Sequence, residues 1–289
     1  MFKKALFVLI VLALSLSACT VYDLNNIGNT KTINGSGNVI TEKRDVQNFD
    51  RVDLKGIGNL TIIQGSEESL TITADENLMQ YITSKVVNGT LEIGMEPNVS
   101  LIPSHKMDYK LVVKSISGIQ LSGFGNIDSE GLTGDYMEVK LSGSGDLNIG
   151  TIESKSLLVR ISGFGNFDSK SIKAKTPTIE ITGSGDINVE KLEADDLSVK
   201  ISGFGNTILA GKVLTQDVQI LGSGDYKAEN LESNSAVVKI TGFGNPTVWV
   251  KDELNVTITG GGNVEYYGSP RVTQTMTGFG KVNSLGEHK

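Results

Sequence analysis

The chain has 289 residues and a formal net charge of −7, with 34 glycines, 5 prolines and 1 cysteine. This length suffices for one large domain or two small ones. The acidic balance gives the protein no electrostatic reason to bind nucleic acid or anionic lipid. Abundant glycine with little proline indicates tight turns rather than a disordered linker. A lone cysteine leaves no partner for an internal disulfide, so packing and hydrogen bonds must hold the fold.

The N-terminus has the pattern of an export signal. Lys3 and Lys4 precede an apolar stretch at residues 5–16, which is too short to span a bilayer comfortably. This stretch runs into residues 16–19 (Leu-Ser-Ala-Cys), which resemble the bacterial lipobox. In that motif the cysteine, here Cys19, is lipidated and becomes the first residue of the mature protein.

Residues 1–18 are therefore predicted to be a lipoprotein signal peptide, with Cys19 as the lipid anchor. Removal of this segment takes away two lysines and lowers the net charge from −7 to −9. The alternative is an ordinary signal beside a free cysteine. Thr20 follows Cys19, so the Asp associated with inner-membrane retention is missing. This favours an outer membrane or outer cell surface location.

The middle of the chain repeats a Gly-X-Gly-Asn/Asp motif. The spacing between copies is 20 residues four times, then 19, 20, 18 and 18. A fixed period in this range predicts a solenoid with one coil per repeat. The copies and variants begin at Gly123, Gly143, Gly163, Gly183, Gly203, Gly222, Gly242, Gly260 and Gly278, with earlier copies at Gly35 and Gly56.

The first part of the chain is less regular. Residues 19–47, rich in Asn, Thr and charge, are predicted to be a tether that leads into the first strand. Between the second and third copies of the motif the period is lost. Residues 75–82 are predicted to form a short helix there.

Apolar residues alternate within each repeat, which predicts strands rather than helices. Three inward columns per repeat indicate coils with about three faces. The sequence therefore predicts an all-β fold, a parallel β-helix or β-solenoid with coils of about 20 residues. The predicted inward positions include Met137, Val139, Leu141, Leu147, Ile149, Leu157, Val159, Ile161, Ile187, Val189, Leu197, Val199, Ile201, Leu254, Val256 and Ile258, with a third column at Leu132, Ile152, Ile172, Leu192 and Leu231.

The coils alternate in pairs. The two coils with Phe124 and Phe164 in the motif carry Ser five residues later. The coils that follow them, with Ser144 and Ser184 in the motif, carry Ile or Val there. Volume conservation in a close-packed interior favours buried Phe rings that complement Ser129 and Ser169. The alternative is that the rings face outward and form a binding stripe for sugar rings or peptides. The candidate stripe consists of Phe124, Phe164, Phe204 and Phe243, with Phe279 in the last copy.

The acidic residues alternate as well. One coil carries Asn126 followed by Asp128, and the next carries Asp146 followed by Asn148. The two coils after these repeat the exchange, so each coil has one carboxylate, and it changes column from coil to coil. Stacked like charges are destabilising, so the exchange keeps carboxylates of one column on the order of 10 Å apart. The Asn residues between them are expected to form an amide ladder.

The Gly-Ser-Gly-Asp copies also resemble calcium-binding nonapeptide rolls. The repeat here is twice as long, and Asn in alternate coils halves the charge that Ca²⁺ requires. No metal site is predicted, and a calcium-stabilised surface solenoid is kept as an alternative.

Side chains suited to catalysis are scarce. The two histidines, His105 and His288, lie far apart in sequence, and no Ser/His/Asp set, Cys nucleophile or His-based metal site can be assembled. We predict no catalytic residue, no cofactor and no enzymatic activity. The alternative from another class is a polysaccharide-acting β-helix enzyme, which requires paired carboxylates in a cleft. Trp249, Tyr266 and Tyr267 in the late coils are expected to cap the core.

Several segments together resemble the bacterial family described as putative auto-transporter adhesin, head GIN domain. The resemblance begins at residues 49–52 (Phe-Asp-Arg-Val) and 56–59 (Gly-Ile-Gly-Asn), and continues through residues 62–65, 75–78 and 88–93. The Gly-X-Gly-Asn/Asp coils complete it. The family implies a β-helical, envelope-exposed protein that often carries a lipobox. Its name suggests adhesion, and it supplies no catalytic residues.

Residues 48–289 are accordingly predicted to form a head GIN-type β-solenoid domain. The expected protein is a non-enzymatic, lipid-anchored component of the cell envelope that acts as an adhesin or surface-binding module. Its expected partners are the membrane, through the lipid on Cys19, and an extracellular glycan or protein.

Overall fold

The computed structural model describes residues 30–288, so the predicted signal peptide and Cys19 lie outside the described residues. The protein is 67% strand with one short helix among the described residues, arranged as a β-solenoid of about 8 turns. This confirms the predicted fold class. The elements are β1 (Lys31–Asn34), β2 (Val39–Arg44), β3 (Arg51–Leu54), β4 (Asn59–Gln64), β5 (Ser69–Asp75), α1 (Glu76–Met79), β6 (Ile82–Val87), β7 (Thr90–Met95), β8 (Val99–Ile102), β9 (Asp108–Val113), β10 (Gly118–Leu121), β11 (Ile127–Leu141), β12 (Leu147–Ile161), β13 (Phe167–Ser169), β14 (Ser171–Ile181), β15 (Ile187–Ile201), β16 (Thr207–Ile220), β17 (Tyr226–Ile240), β18 (Thr247–Ile258), β19 (Val264–Tyr267), β20 (Arg271–Met276) and β21 (Val282–Ser284).

A single coil illustrates why these residues form long bent strands. In β12 every second residue at each end is buried, and Ile152 is buried between them. The polar residues between them face outward, as the period of two in a strand requires. The steps from Ile149 to Ile152 and from Ile152 to Leu157 are odd numbers of residues, so the strand must turn on either side of Ile152 to keep all three buried. One continuous element therefore supplies three inward faces. Each buried Leu or Ile contributes about 1.5–3 kcal/mol relative to an exposed position.

The coils stack in parallel and in register. Leu147 lies opposite Ile127, and Ile161 lies opposite Leu141, so the offset equals the sequence repeat. Equivalent residues of successive coils therefore form continuous apolar columns. All the residues predicted to face inward are buried, including the third column from Leu132 to Leu231. The three predicted inward columns are therefore confirmed.

The Gly-X-Gly turn is required by the close approach of neighbouring coils. A Cβ on Gly143 would lie 2.0 Å from the carbonyl oxygen of Gly123. Gly145 has φ of +136°, and its Cβ would lie 1.7 Å from the carbonyl oxygen of Gly125. These positions admit no side chain without displacing backbone. The turn therefore stacks backbone directly on backbone.

The fourth residue of the motif ties each coil to the next. The backbone N–H of Asn166 donates to Asp146 Oδ1 at 2.9 Å, and the backbone N–H of Asp186 donates to Asn166 Oδ1 at 3.0 Å. This ladder continues from Asn59 to Asn263. The predicted ladder is present, but most of its donors are backbone amides rather than side-chain amides.

The N-terminal end of the stack departs from a simple repeat. Arg51 of β3 pairs with Thr90 of β7 on one side and with Gly118 of β10 on the other. The coil of β3 and β4 therefore lies inside the stack, beneath a later segment of the chain. The antiparallel pairs β2–β5, β5–β9 and β6–β7 flank that segment and end the stack.

The motif at Gly35 belongs to this antiparallel end and forms no coil, so its inclusion in the repeat is wrong. The backbone N–H of Gly37 donates to Asp75 Oδ1 at 2.8 Å, and the backbone N–H of Ser104 donates to Asp75 Oδ2 at 2.9 Å. Hydrogen bonds from Ser104 are the main cause that lowers the pKa of the Asp75 carboxyl below its usual value. The motif at Gly35 therefore has the sequence of a coil turn but forms part of the cap at the N-terminal end of the stack.

Candidate binding surface

The Phe residues of the motif face solvent, so the favoured prediction that they fill the interior is wrong. Phe124, Phe164, Phe204, Phe243 and Phe279 are between 64% and 89% exposed. The physical reason is that the alternation of inward and outward positions continues through the glycines. The alternative prediction, that the rings face outward in a stripe, is therefore correct about their exposure. These five residues are called the aromatic stripe below.

The serines predicted to complement the rings are buried for a different reason. Ser169 is buried two residues after Phe167, whose ring is fully buried in the same strand. The neighbouring coil places Ile187 and Val189 at the same two positions. A large and a small side chain therefore share one inward face in one coil, and two medium side chains share it in the next. Volume is therefore conserved between these two coils at Phe167 and Ser169, and the motif Phe has no part in it. Ser129 follows Ile127 instead, so no large ring offsets that serine.

The aromatic stripe has a regular composition along the solenoid. Phe164 pairs with Ser144 on one side and with Ser184 on the other, in a single column of parallel bridges. Phe243 and Phe279 likewise flank Gly261. Aromatic rings thus recur on alternate coils, about two strand spacings or 10 Å apart. Small residues separate them.

Two polar rows flank the stripe. One row precedes the central residue of each motif by two positions and carries hydroxyls, apart from Leu221. The other follows by two positions and carries the Asn/Asp ladder until Lys281. Together they border apolar platforms with hydrogen-bonding groups, a combination suited to amphiphilic rings. The hydroxyl row is Ser122, Ser142, Ser162, Thr182, Ser202, Thr241, Thr259 and Thr277.

A separate open groove of about 700 Å³ follows the second acidic column. Asn148 Nδ2 donates to Asp128 Oδ1 at 2.8 Å, and Asn188 Nδ2 donates to Asp168 Oδ1 at 3.3 Å. Asp128 and Asp168 are thus each paired with an amide, and Glu130 and Glu190 also line the groove. Within residues 30–288, no three Asp, Glu, His or Cys side chains converge on a possible metal position.

The structure brings together one pair of carboxylates that the sequence analysis did not predict. Asp53 and Glu92 lie opposite each other on β3 and β7. Burial raises the pKa of Asp53, whose carboxylate accepts a hydrogen bond from Ser122. Glu92 forms an ion pair with Lys55 at 2.5 Å. The depression above them has a volume of about 200 Å³, which is small for a site that encloses a sugar.

The aromatic residues of the late coils do not act together as a core cap. Tyr266 packs against the core as predicted. Trp249 instead stacks on His288, with ring centroids 3.9 Å apart, and Tyr267 meets the same imidazole edge-on at 5.2 Å. These two rings hold the C-terminal segment against the outside of the solenoid.

Comparison with known proteins finds one matching family. Residues 48–171 and 164–270 match the family described as "Putative auto-transporter adhesin, head GIN domain". No curated protein matches the sequence. No helix within residues 30–288 is long and apolar enough to cross a membrane.

Solved structures share the fold. A putative adhesin from Parabacteroides merdae ATCC 43184 superposes with a TM-score of 0.68 at 24% identity, covering 88% of this chain and 99% of that one. A putative adhesin from Parabacteroides distasonis ATCC 8503 gives 0.66 at 24% identity, with 88% and 100% covered. A putative lipid binding protein from the same organism gives 0.59 at 22% identity, with 88% and 100% covered. Because the family match extends over well more than half of its residues, the chain belongs to the head GIN domain family of putative auto-transporter adhesins.

Proposed function

We propose that this protein is a non-catalytic binding module of the cell envelope, anchored by a lipid on Cys19, that engages an extracellular partner through the aromatic stripe. The observation that carries the proposal is the exposure of Phe rings on alternate coils. Apolar residues scattered singly over a surface need no partner, whereas a straight row of exposed large apolar side chains at a regular interval supports contact with one. The adhesin family supports a surface or exported location.

The proposal favours binding over catalysis because the polar groups at the stripe repeat with the coils. A catalytic site concentrates a few groups with different roles in one enclosed place. The Asn/Asp ladder instead gives every coil the same contacts, as its hydrogen bonds near Asn166 and Asn206 illustrate. Repetition of this kind suits an extended partner.

Anchoring through Cys19 is tested by replacing it with Ser and fractionating the cells. The wild-type protein is expected in the membrane fraction with acyl chains on its first residue, because several acyl chains on one residue bind a bilayer stably. The Cys19→Ser protein is expected to be released or left uncleaved. An unchanged distribution of the variant, with no acyl mass on the wild type, would disprove the anchor.

The role of the stripe is tested by replacing Phe164 and Phe204 with Ser, the residue that neighbouring coils carry at the same place. The variant is expected to lose most of its binding to cells and to isolated envelope or host-surface polymers, because two of the five platforms are removed. The control replaces Tyr136 and Leu214 with Ser, since both are exposed apolar residues away from the stripe. Equal binding by the two variants and the wild type would refute the proposal.

A further inference from the structure

The aromatic stripe presents apolar platforms at a fixed interval. Phe164 and Phe204 lie two coils apart, and the coil between them carries Ser184 at the same place in the motif. Strands of adjacent coils are about 4.8 Å apart, so successive rings lie about 10 Å apart along the solenoid axis. The small side chain of Ser184 keeps the interval between these two platforms open.

We propose that the aromatic stripe binds a linear β-1,4-linked glycan that lies along the solenoid axis, an inference that rests on the proposed function. In an extended β-1,4-linked chain, each sugar is flipped relative to the one before it. The same apolar ring face therefore recurs at every second sugar, at an interval close to the ring spacing of about 10 Å. Each Phe can then stack on alternate sugars of one straight chain.

The flanking rows supply the polar contacts that this ligand needs. Sugar hydroxyls and amides project from the edges of the rings, where they require donors and acceptors. On one side Ser162 and Thr182 expose hydroxyls, and on the other Asn166 and Asp186 expose amide and carboxylate groups. Both rows run parallel to the stripe. A chain seated on the rings therefore meets hydrogen-bonding groups along both edges.

The acidic residues beside the aromatic stripe restrict the class of glycan that it can bind. Asp146, Asp186 and Asp225 lie in the row beside the rings, and Lys281 is the only basic residue in that row. This favours neutral or amino sugars over sulfated or acidic ones. A second copy of the chain is a poorer occupant, because face-to-face stripes of opposite direction bring acidic rows together.

Calorimetry with the purified full chain tests this assignment. Oligosaccharides of β-1,4-linked glucose and of β-1,4-linked N-acetylglucosamine are titrated at increasing length, and the two series distinguish a plain glucan from an N-acetylated glycan. The controls are α-1,4-linked and β-1,3-linked glucose chains, which do not present one face at every second sugar. Binding is expected for at least one β-1,4 series, with affinity that rises with length. Silence from both series, or equal binding of the controls, would overturn the inference.

A pair of variants isolates the role of spacing. Combining Ser184→Phe with Phe204→Ser keeps the number of exposed rings but moves one ring to the adjacent coil. Affinity for long β-1,4 chains is expected to fall about as much as in Phe204→Ser alone, by a few-fold for each ring lost from register. Wild-type affinity in the combined variant would show that spacing is irrelevant. Thermal unfolding of each variant identifies any loss of fold, and Phe204→Ser alone then supplies the test.

The two proposals can fail separately. If the variants of Phe164 and Phe204 lose cell binding while every oligosaccharide is silent, the stripe binds a different partner and the glycan assignment is wrong. If sedimentation shows that these variants change only self-association, the stripe is an interface between copies. If the variants bind cells and glycans as the wild type does, the function proposed for the stripe is itself wrong.

Discussion

Replacing Gly165 with Ala is expected to lower the free energy of unfolding by about 3 kcal/mol or more, or to prevent folding of the central coils. The residue has φ of +137°, which L-residues rarely adopt, and its Cβ would lie 1.8 Å from the carbonyl oxygen of Gly145. Relief of this clash requires two stacked backbones to separate. That movement also weakens the ladder bond from the backbone of Asn166 to Asp146, now 2.9 Å long.

The matched control for this substitution is Gly37→Ala. Gly37 also has positive φ, +82°, but nothing lies within 4 Å of the position of a Cβ. Its replacement carries only the conformational cost, about 1–2 kcal/mol. Urea denaturation followed by circular dichroism measures both. Equal losses at the two sites would mean that backbone strain alone matters and that close stacking of coils does not.

The contrast between these glycines shows what sequence periodicity can predict. In the coils from Gly123 onward, each residue lies between the equivalent positions of the neighbouring coils, so a pattern read along the chain translates directly into columns in space. The antiparallel end has no such correspondence. Asp75 receives hydrogen bonds from Gly37 and Ser104, which are far away in sequence and follow no period. Nothing local in the sequence encodes that arrangement.

The residues of the aromatic stripe were predicted from the sequence, but the favoured orientation of their rings was wrong. Ile161 and Phe167 are both buried and are separated by an even number of positions, so Phe164 between them falls on the outward side. Continuing the alternation through the motif would have given this result. The acid pair of Asp53 and Glu92 could not be found this way, because it depends on the placement of β7 beside β3.

Apolar columns can also contain polar residues that the pattern does not explain. Gln216 is buried in a column otherwise apolar in adjacent coils, opposite Leu197 and Ala236. Its amide oxygen accepts from the hydroxyl of Tyr226 at 2.8 Å, and its amide nitrogen donates to Ser233 at 2.8 Å. Partners from the following coil satisfy the buried amide. Only the stacked structure brings these three side chains together.

The exchange of volume within a strand predicts a strong coupling between Phe167 and Ser169. Phe167→Ala alone is expected to cost about 3–5 kcal/mol, because the ring is fully buried and its cavity cannot collapse. Ser169→Val alone is expected to cost about 1–3 kcal/mol through overpacking beside the ring. The neighbouring coil tolerates Ile187 and Val189 at the equivalent positions.

Combining Phe167→Ile with Ser169→Val transplants that neighbouring pair, and the double variant is expected to lie within about 1.5 kcal/mol of the wild type. The cycle also needs Phe167→Ile alone, which leaves a partial cavity. A double-mutant coupling of about 0.5–3 kcal/mol in the favourable direction is the expected result from chemical denaturation. Simple additivity of the two single substitutions would mean that the positions do not share one space.

The ring of Phe164 should not affect the free energy of this exchange, because it projects into solvent from the opposite side of the strand path. Phe164→Ser therefore serves as the control that separates packing inside the coil from binding outside it.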